Sequence, residues 1–224
     1  MRIHNWETRQ SMTPQKALQF LKEGNQRFRS NLSVNRNLLQ LVNETAEKQF
    51  PFAAILSCSD SRIPVELVFD QGLGDIFSVR LAGNIASVYA IASLEYSCKY
   101  LGSKLIVVMG HTGCGAVKGA CDDLEDGNIH NILDLIKPAI QAETQTAENR
   151  NSSNKKFTDT VAELNVQQQI NSILQNSIML NEMISKNEVM IAGAMYNIEN
   201  GKVTFLDEHN QKPHQHEKHE VYQR

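Results

Sequence analysis

Two short aliphatic runs, each stopping abruptly at polar residues, constrain what this chain can fold into more than any other feature. Phe52-Ala53-Ala54-Ile55-Leu56 ends at Cys58-Ser59-Asp60-Ser61-Arg62, and Leu105-Ile106-Val107-Val108-Met109 ends at Gly110-His111-Thr112-Gly113-Cys114-Gly115. Continuous aliphatic runs of this length, bounded by Gly or Pro, are strands buried on both faces, which is the signature of a parallel sheet covered by helices. Chemistry in such sheets collects beyond the carboxyl ends of the strands. Cys58, His111 and Cys114 can therefore meet at one sheet edge although they are far apart in sequence.

Two thiols and one imidazole are a soft donor set suited to zinc. Three protein ligands leave a tetrahedral ion one position short, which distinguishes a catalytic zinc from a structural one, and water is expected to fill the gap. Asp60 and Arg62 stand one residue apart in the same strand-end loop. A guanidinium at that spacing can hold the carboxylate by a bidentate bond, keeping it ionised and off the metal.

Cys-x-Asp-x-Arg followed much later by His-x-x-Cys, each at the end of an apolar strand, resembles the zinc site of the β-class carbonic anhydrases. The resemblance runs from about Thr13 to about Leu206. His-x-x-Cys alone is common by chance; the ordered pair in strand-end context is specific. The resemblance implies one Zn2+ per chain on Cys58, His111 and Cys114, and a catalytic dyad of Asp60 and Arg62. It implies reversible hydration of carbon dioxide to bicarbonate and a proton, by hydroxide generated at the metal. By position, Gln49, Phe77, Tyr96 and Gly115 match the substrate pocket of the plant-type branch, while Ala82 stands where that branch has valine. Another branch carries tryptophan three residues before the first zinc cysteine and a state with the aspartate closed onto zinc; Ile55 occupies that position here, so an open site is expected. Relatives on the same scaffold that hydrolyse carbon disulfide or carbonyl sulfide supply an alternative, and a non-catalytic zinc-stabilised structural protein supplies a third. The pair Asp60 and Arg62 argues against the third, because a purely structural site fills its fourth position with protein.

A chain of 224 residues with net charge -3 suits one α/β domain. It offers no basic field for nucleic acid and no apolar run of the roughly 20 residues that a membrane span needs. The start, Met1 to Glu7, lacks the pattern of a secretory signal, so a cytoplasmic location is expected. Four cysteines in a reducing compartment favour metal use over disulfides. Cys98 and Cys121 have no partner spacing and read as packing or surface residues.

The fold expected is a central, mainly parallel sheet flanked by helices, with an N-terminal helical arm (1–50), an α/β zinc core (51–207) and a polar, histidine-containing tail (208–224). Thr13-Pro14 opens a helix over 13–29 with Ala17, Leu18, Leu21 and Phe28 on helical spacing. The family resemblance implies that this arm covers a neighbouring subunit in a homodimer or dimer of dimers. Pro64 starts a short helix, and 76–80 forms a strand. Gly72-x-Gly74 is no phosphate loop, because no helix opens on it. A helix over Ser87–Tyr100 is expected to be buried on more than one side and closed by Gly102; another follows Gly115, its amino end favouring the Cys114 thiolate. Residues 141–160 read as a mobile connection, and about Val161 to Ser185 as a helix. A strand from Val189, a turn at Asn200-Gly201 and an edge strand from Val203 complete the pattern.

Overall fold

The computed structural model describes Thr8 and residues 11–206; the start of the chain and the histidine-containing tail lie outside the described residues. Among the described residues, five strands form one sheet: β1 (Ala53–Ser57), β2 (Ile76–Arg80), β3 (Leu105–His111), β4 (Met190–Tyr196) and β5 (Val203–Phe205). Their order is β2-β1-β3-β4-β5, the first four parallel and β5 antiparallel to β4, with Tyr196 opposite Val203. Every residue of β1 and β3 is buried, as continuous aliphatic runs require. From β1 the chain winds outward to β2 and then crosses to β3 on the other side. The winding thus reverses between β1 and β3, and a crevice opens there at the strands' carboxyl ends.

Helices cover both faces. They are α1 (Pro14–Arg29), α2 (Leu38–Thr45), α3 (Val65–Val68), α4 (Val88–Tyr96), α5 (Gly115–Cys121), α6 (His130–Leu133), α7 (Lys137–Ala142), α8 (Lys155–Asn176) and α9 (Ile178–Ser185). The period-two alternation of strands divides the core. Ala53, Ile55, Leu105, Val107 and Met109 meet α1, α5 and the start of α8 on one face. Ala54, Leu56, Ile106 and Val108 meet α4, α9 and the middle of α8 on the other.

The arm helix forms as expected. Thr13 Oγ1 accepts the Lys16 amide at 3.2 Å, and Pro14 occupies the first turn. Its docking differs from what the resemblance implies. Ala17, Leu18 and Leu21 are buried against the chain's own core, so this apolar face is not available to a neighbouring subunit. Gly24 makes the approach possible, since a Cβ there would lie 1.7 Å from the Phe69 carbonyl oxygen. Asn25 then donates to the carbonyls of Val68 and Gly201 and accepts from the Val203 amide, tying α1 to α3 and β5. Below it, the buried Asp70 carboxylate takes Arg27 and Arg36, each at 2.5 Å.

Three other expectations are corrected. The connection over 141–160 is organised, not loose: buried Glu143 accepts the Gln145 and Thr146 amides and pairs with Arg150 at 2.5 Å, while Arg150 also lies over the Phe157 ring. Polarity there serves a closed hydrogen-bonded loop, and α8 starts at Lys155 instead of Val161. The expected single helix to Ser185 breaks at Ser177, whose extended backbone ends α8 while its hydroxyl caps α9 through the Leu180 amide. Finally, α4 and the π-turn after it (Ser97–Leu101, closed by left-handed Gly102) bury only one side. Ala90, Ile91, Leu94 and Cys98 face the core, whereas Tyr89, Tyr96 and Tyr100 form an outward stripe, 82%, 48% and 70% exposed.

Candidate metal centre

Cys58 follows β1, His111 ends β3, and Cys114 caps the short helix α5. All three are buried, and their ligand atoms lie within 4.8 Å of one another across the β1/β3 crevice. The two sulfurs are 3.9 Å apart, close to the roughly 3.8 Å expected of two sulfurs each about 2.3 Å from one tetrahedral zinc. The His111 tautomer is set by its neighbour: Nδ1 lies 3.0 Å from the Thr112 carbonyl oxygen and donates to it. That leaves the Nε2 lone pair directed into the cluster, buried and without a hydrogen-bond partner. A buried imidazole nitrogen with nothing to bond is costly unless a metal takes it. The residues therefore fit zinc.

The two thiols cannot both ionise unaided. The hydrogen bond from Cys114, against the opposing effect of burial, holds the Cys58 thiol well below its ordinary range. The same contact, together with burial, pushes the Cys114 thiol far up, although the Val117 and Ala116 amides of α5 favour its thiolate as expected from the sequence. A divalent cation removes this conflict by neutralising both sulfurs at once.

Beside the cluster, Arg62 grips Asp60 with two parallel bonds, Nε to Oδ1 at 2.9 Å and Nη2 to Oδ2 at 2.7 Å, and its amide adds a third at 3.0 Å. This grip outweighs burial and holds the Asp60 carboxyl well below the usual carboxylate range. Asp60 Oδ2 lies 4.0 Å from His111 Nε2. An ionised acceptor thus sits next to the place where a fourth ligand belongs, already engaged elsewhere.

Several supporting residues escaped the sequence reading. Arg80, in register with Ser57 at the end of β2, donates to the carbonyls of Cys58 at 3.3 Å and Asp60 at 2.7 Å. It fixes the main chain of the loop whose carboxylate Arg62 orients. The Gly83 amide donates to Cys58 Sγ at 3.4 Å, and Asn165 holds the Gly83 carbonyl at 2.9 Å. Gln169 in turn donates to Asn165 and accepts from the Ala86 amide. Asn165 and Gln169 are a buried polar pair one turn apart on α8, and that interruption of an apolar face was the available signal.

The expected substrate-pocket residues fall into two groups. Ala82 lies one residue before the Gly83 that bonds Cys58, and Gly115 follows Cys114 with open space where a Cβ would point. Gln49, Phe77 and Tyr96 gather elsewhere. Tyr96 and Gln49 line one groove of about 550 Å³ with Tyr100, and the Phe77 ring lies 6.3 Å from that of Tyr96. Gln49 precedes β1 while Cys58 follows it, so within one chain this group does not reach the three ligands.

A metal-capable centre at the winding reversal of a parallel sheet, with one position left over, defines the class: an α/β protein built to hold a catalytic metal. The carbonic anhydrase family profile matches residues 53–203. Carbonic anhydrase 2 of Mycobacterium tuberculosis is 31% identical over 202 residues, covering 87% of this chain and 93% of that relative. The carbonic anhydrase of Mycolicibacterium smegmatis is 29% identical over 85% of this chain and 92% of its own length. Among solved structures, a tetrameric β-carbonic anhydrase from Sordaria macrospora superposes with a TM-score of 0.65 at 27% identity, over 75% of this chain and 86% of that one. The chain belongs to the β-class carbonic anhydrase family, and it is an enzyme of the lyase type. No helix among the described residues is long and apolar enough to cross a membrane.

Proposed function

We propose that this chain catalyses the reversible hydration of carbon dioxide to bicarbonate and a proton, using one zinc held by Cys58, His111 and Cys114. The observation that carries the proposal is the unpartnered, buried His111 Nε2 set among two thiols and 4.0 Å from a fixed carboxylate. When bound, zinc supplies a Lewis acid that makes water a nucleophile near neutral pH. The protein's own groups do the rest. Asp60, ionised and pinned by Arg62, accepts a hydrogen bond from the attacking water and directs its lone pair at the substrate carbon. Arg80 holds the main chain of that loop at a fixed distance from the ligands.

The double grip of Arg62 supports an open site, in which Asp60 stays off the metal, as expected where Ile55 replaces tryptophan. Ala82 and Gly115 flank the centre and form one wall of the substrate pocket. The opposite wall is drawn from a second copy: Gln49 and Phe77 gather around Tyr96, a member of the exposed tyrosine stripe. A homodimer or a dimer of dimers brings this group to the partner's metal, and the Sordaria relative is likewise an oligomer, a tetramer. Ala82, Phe77 and the Tyr96 ring would give the pocket apolar surface suited to carbon dioxide, which offers little to hydrogen-bond.

Oxygen-18 exchange between labelled bicarbonate and water, followed by mass spectrometry, tests the reaction. Depletion of label should accelerate with zinc-loaded protein and stop on chelation. No acceleration by fully metallated protein would refute the proposal.

A further inference from the structure

Between the two ligands of the second loop, Gly113 turns the backbone with φ of +65°, and its amide donates to Asp159 Oδ1 at 2.8 Å. We propose that Asp159 is a positioning residue of the metal centre: by accepting this bond it fixes the turn that sets the spacing of His111 and Cys114. The proposal rests on the reading of those two residues, with Cys58, as zinc ligands.

A glycine in left-handed backbone is free to leave that conformation, because no Cβ restricts it. Something outside the turn must select it. The loop's other restraints act on Thr112, whose amide donates to the Tyr196 carbonyl at 3.0 Å and whose hydroxyl accepts the Ile198 amide at 3.2 Å. These secure the His111 side. The Gly113 amide is the contact between Thr112 and Cys114, and its acceptor is a carboxylate, which makes the bond stronger than one between neutral groups.

The acceptor is itself rigidly mounted. Asp159 lies near the start of α8, where Asn154 caps the helix by accepting the Phe157 amide at 3.1 Å. Phe157, Val161 and Ala162 are buried in the core on either side of it. Lys155 Nζ takes the other carboxylate oxygen at 2.8 Å, which leaves Oδ1 turned to the amide. Lys155 is 63% exposed, and an exposed ion pair contributes little by itself. The hydrogen bond to Gly113, not the ion pair, is the working contact.

That distinction is testable on the zinc-loaded, full-length chain. The readouts are the rate of zinc transfer to a chromogenic chelator and hydrogen exchange of the Gly113 amide. Asp159→Ala should release zinc about tenfold faster or more, the effect of removing a group that orients a ligand, and should lose protection at Gly113. Asp159→Asn keeps an acceptor oxygen and Lys155→Ala keeps the carboxylate, so both should hold zinc within about twofold of the parent. If Asp159→Ala is too unstable to purify, Asp159→Gln, whose longer side chain carries the acceptor past the amide, should show the same fast release. Release from Asp159→Ala or Asp159→Gln within twofold of the parent overturns the proposal, as does equally fast release from Lys155→Ala. A parent that binds no zinc at these residues overturns the ligand reading as well, so the two failures are distinct.

Discussion

Arg62 holds both oxygens of Asp60, yet one of them lies only 4.0 Å from His111 Nε2. The carboxylate is close enough to reach the metal position; the Arg62 guanidinium restrains both oxygens, and the Arg62 amide adds a bond to Oδ1 alone. Arg62→Ala should therefore keep zinc near one equivalent per chain while freeing a hard anionic oxygen to compete for the fourth position. Asp60→Asn should keep zinc as well if, as proposed, Asp60 is not among the ligands. Both should lose activity, Asp60→Asn by about a hundredfold or more, since an amide is a poorer acceptor and cannot sustain the ion pair. Metal analysis beside hydration kinetics checks this; two variants within about twofold of the parent would make the dyad purely structural.

Cys58→Ser and Cys114→Ser should each lose zinc and activity together, because a serine hydroxyl does not ionise readily enough to replace a thiolate. The signature is a parallel fall in metal content and turnover. Full activity in either variant would contradict the ligand assignment.

Assembly should depend on the exposed stripe of α4 and the π-turn that follows it. Tyr100, 70% exposed beside Tyr96 and the Gln49 groove, is the place to disturb it. Tyr100→Asp should shift light scattering towards monomer and lower activity while zinc content stays unchanged. An active monomer would show that the pocket is complete within one chain.

Acid should loosen the arm through Asp70. Burial pushes its carboxyl up, but hydrogen bonds from Arg36, Arg27 and the Val34 amide together hold it below its ordinary value. A depressed folded pKa stabilises the fold above the unfolded value near about 4 and loses that contribution as pH falls through the folded one. Asp70→Asn should lower stability at neutral pH by about 2–3 kcal/mol, less than the roughly 3–5 kcal/mol of a fully buried pair because both arginines are partly exposed, and should flatten the acid limb of a denaturation profile. Equal stability of variant and parent at pH 7 would contradict this.

The sheet and its ligands were legible because aliphatic runs such as Leu105–Met109 have one plausible home, a strand buried on both faces, and because strand ends collect chemistry. Asp60 and Arg62 were legible because they are neighbours in sequence. Arg80 and Asp159 were not. Each acts on a backbone group of a loop distant in sequence, and a main-chain carbonyl or amide leaves no trace in residue identity. The same blindness made 141–160 look loose: Glu143 and Arg150 are two charged residues in a polar stretch until they are seen closing on each other. The docking of α1 turned on Gly24, whose missing side chain matters only once Phe69 lies against it.

If one zinc on Cys58, His111 and Cys114 supports carbon dioxide hydration, stopped-flow kinetics recorded while metal-free protein is titrated with zinc will show it. Activity should rise in proportion to added zinc and level off at one equivalent per chain, with the Cys58→Ser variant flat throughout. Activity that is independent of zinc, or absent at full zinc occupancy, would contradict the account.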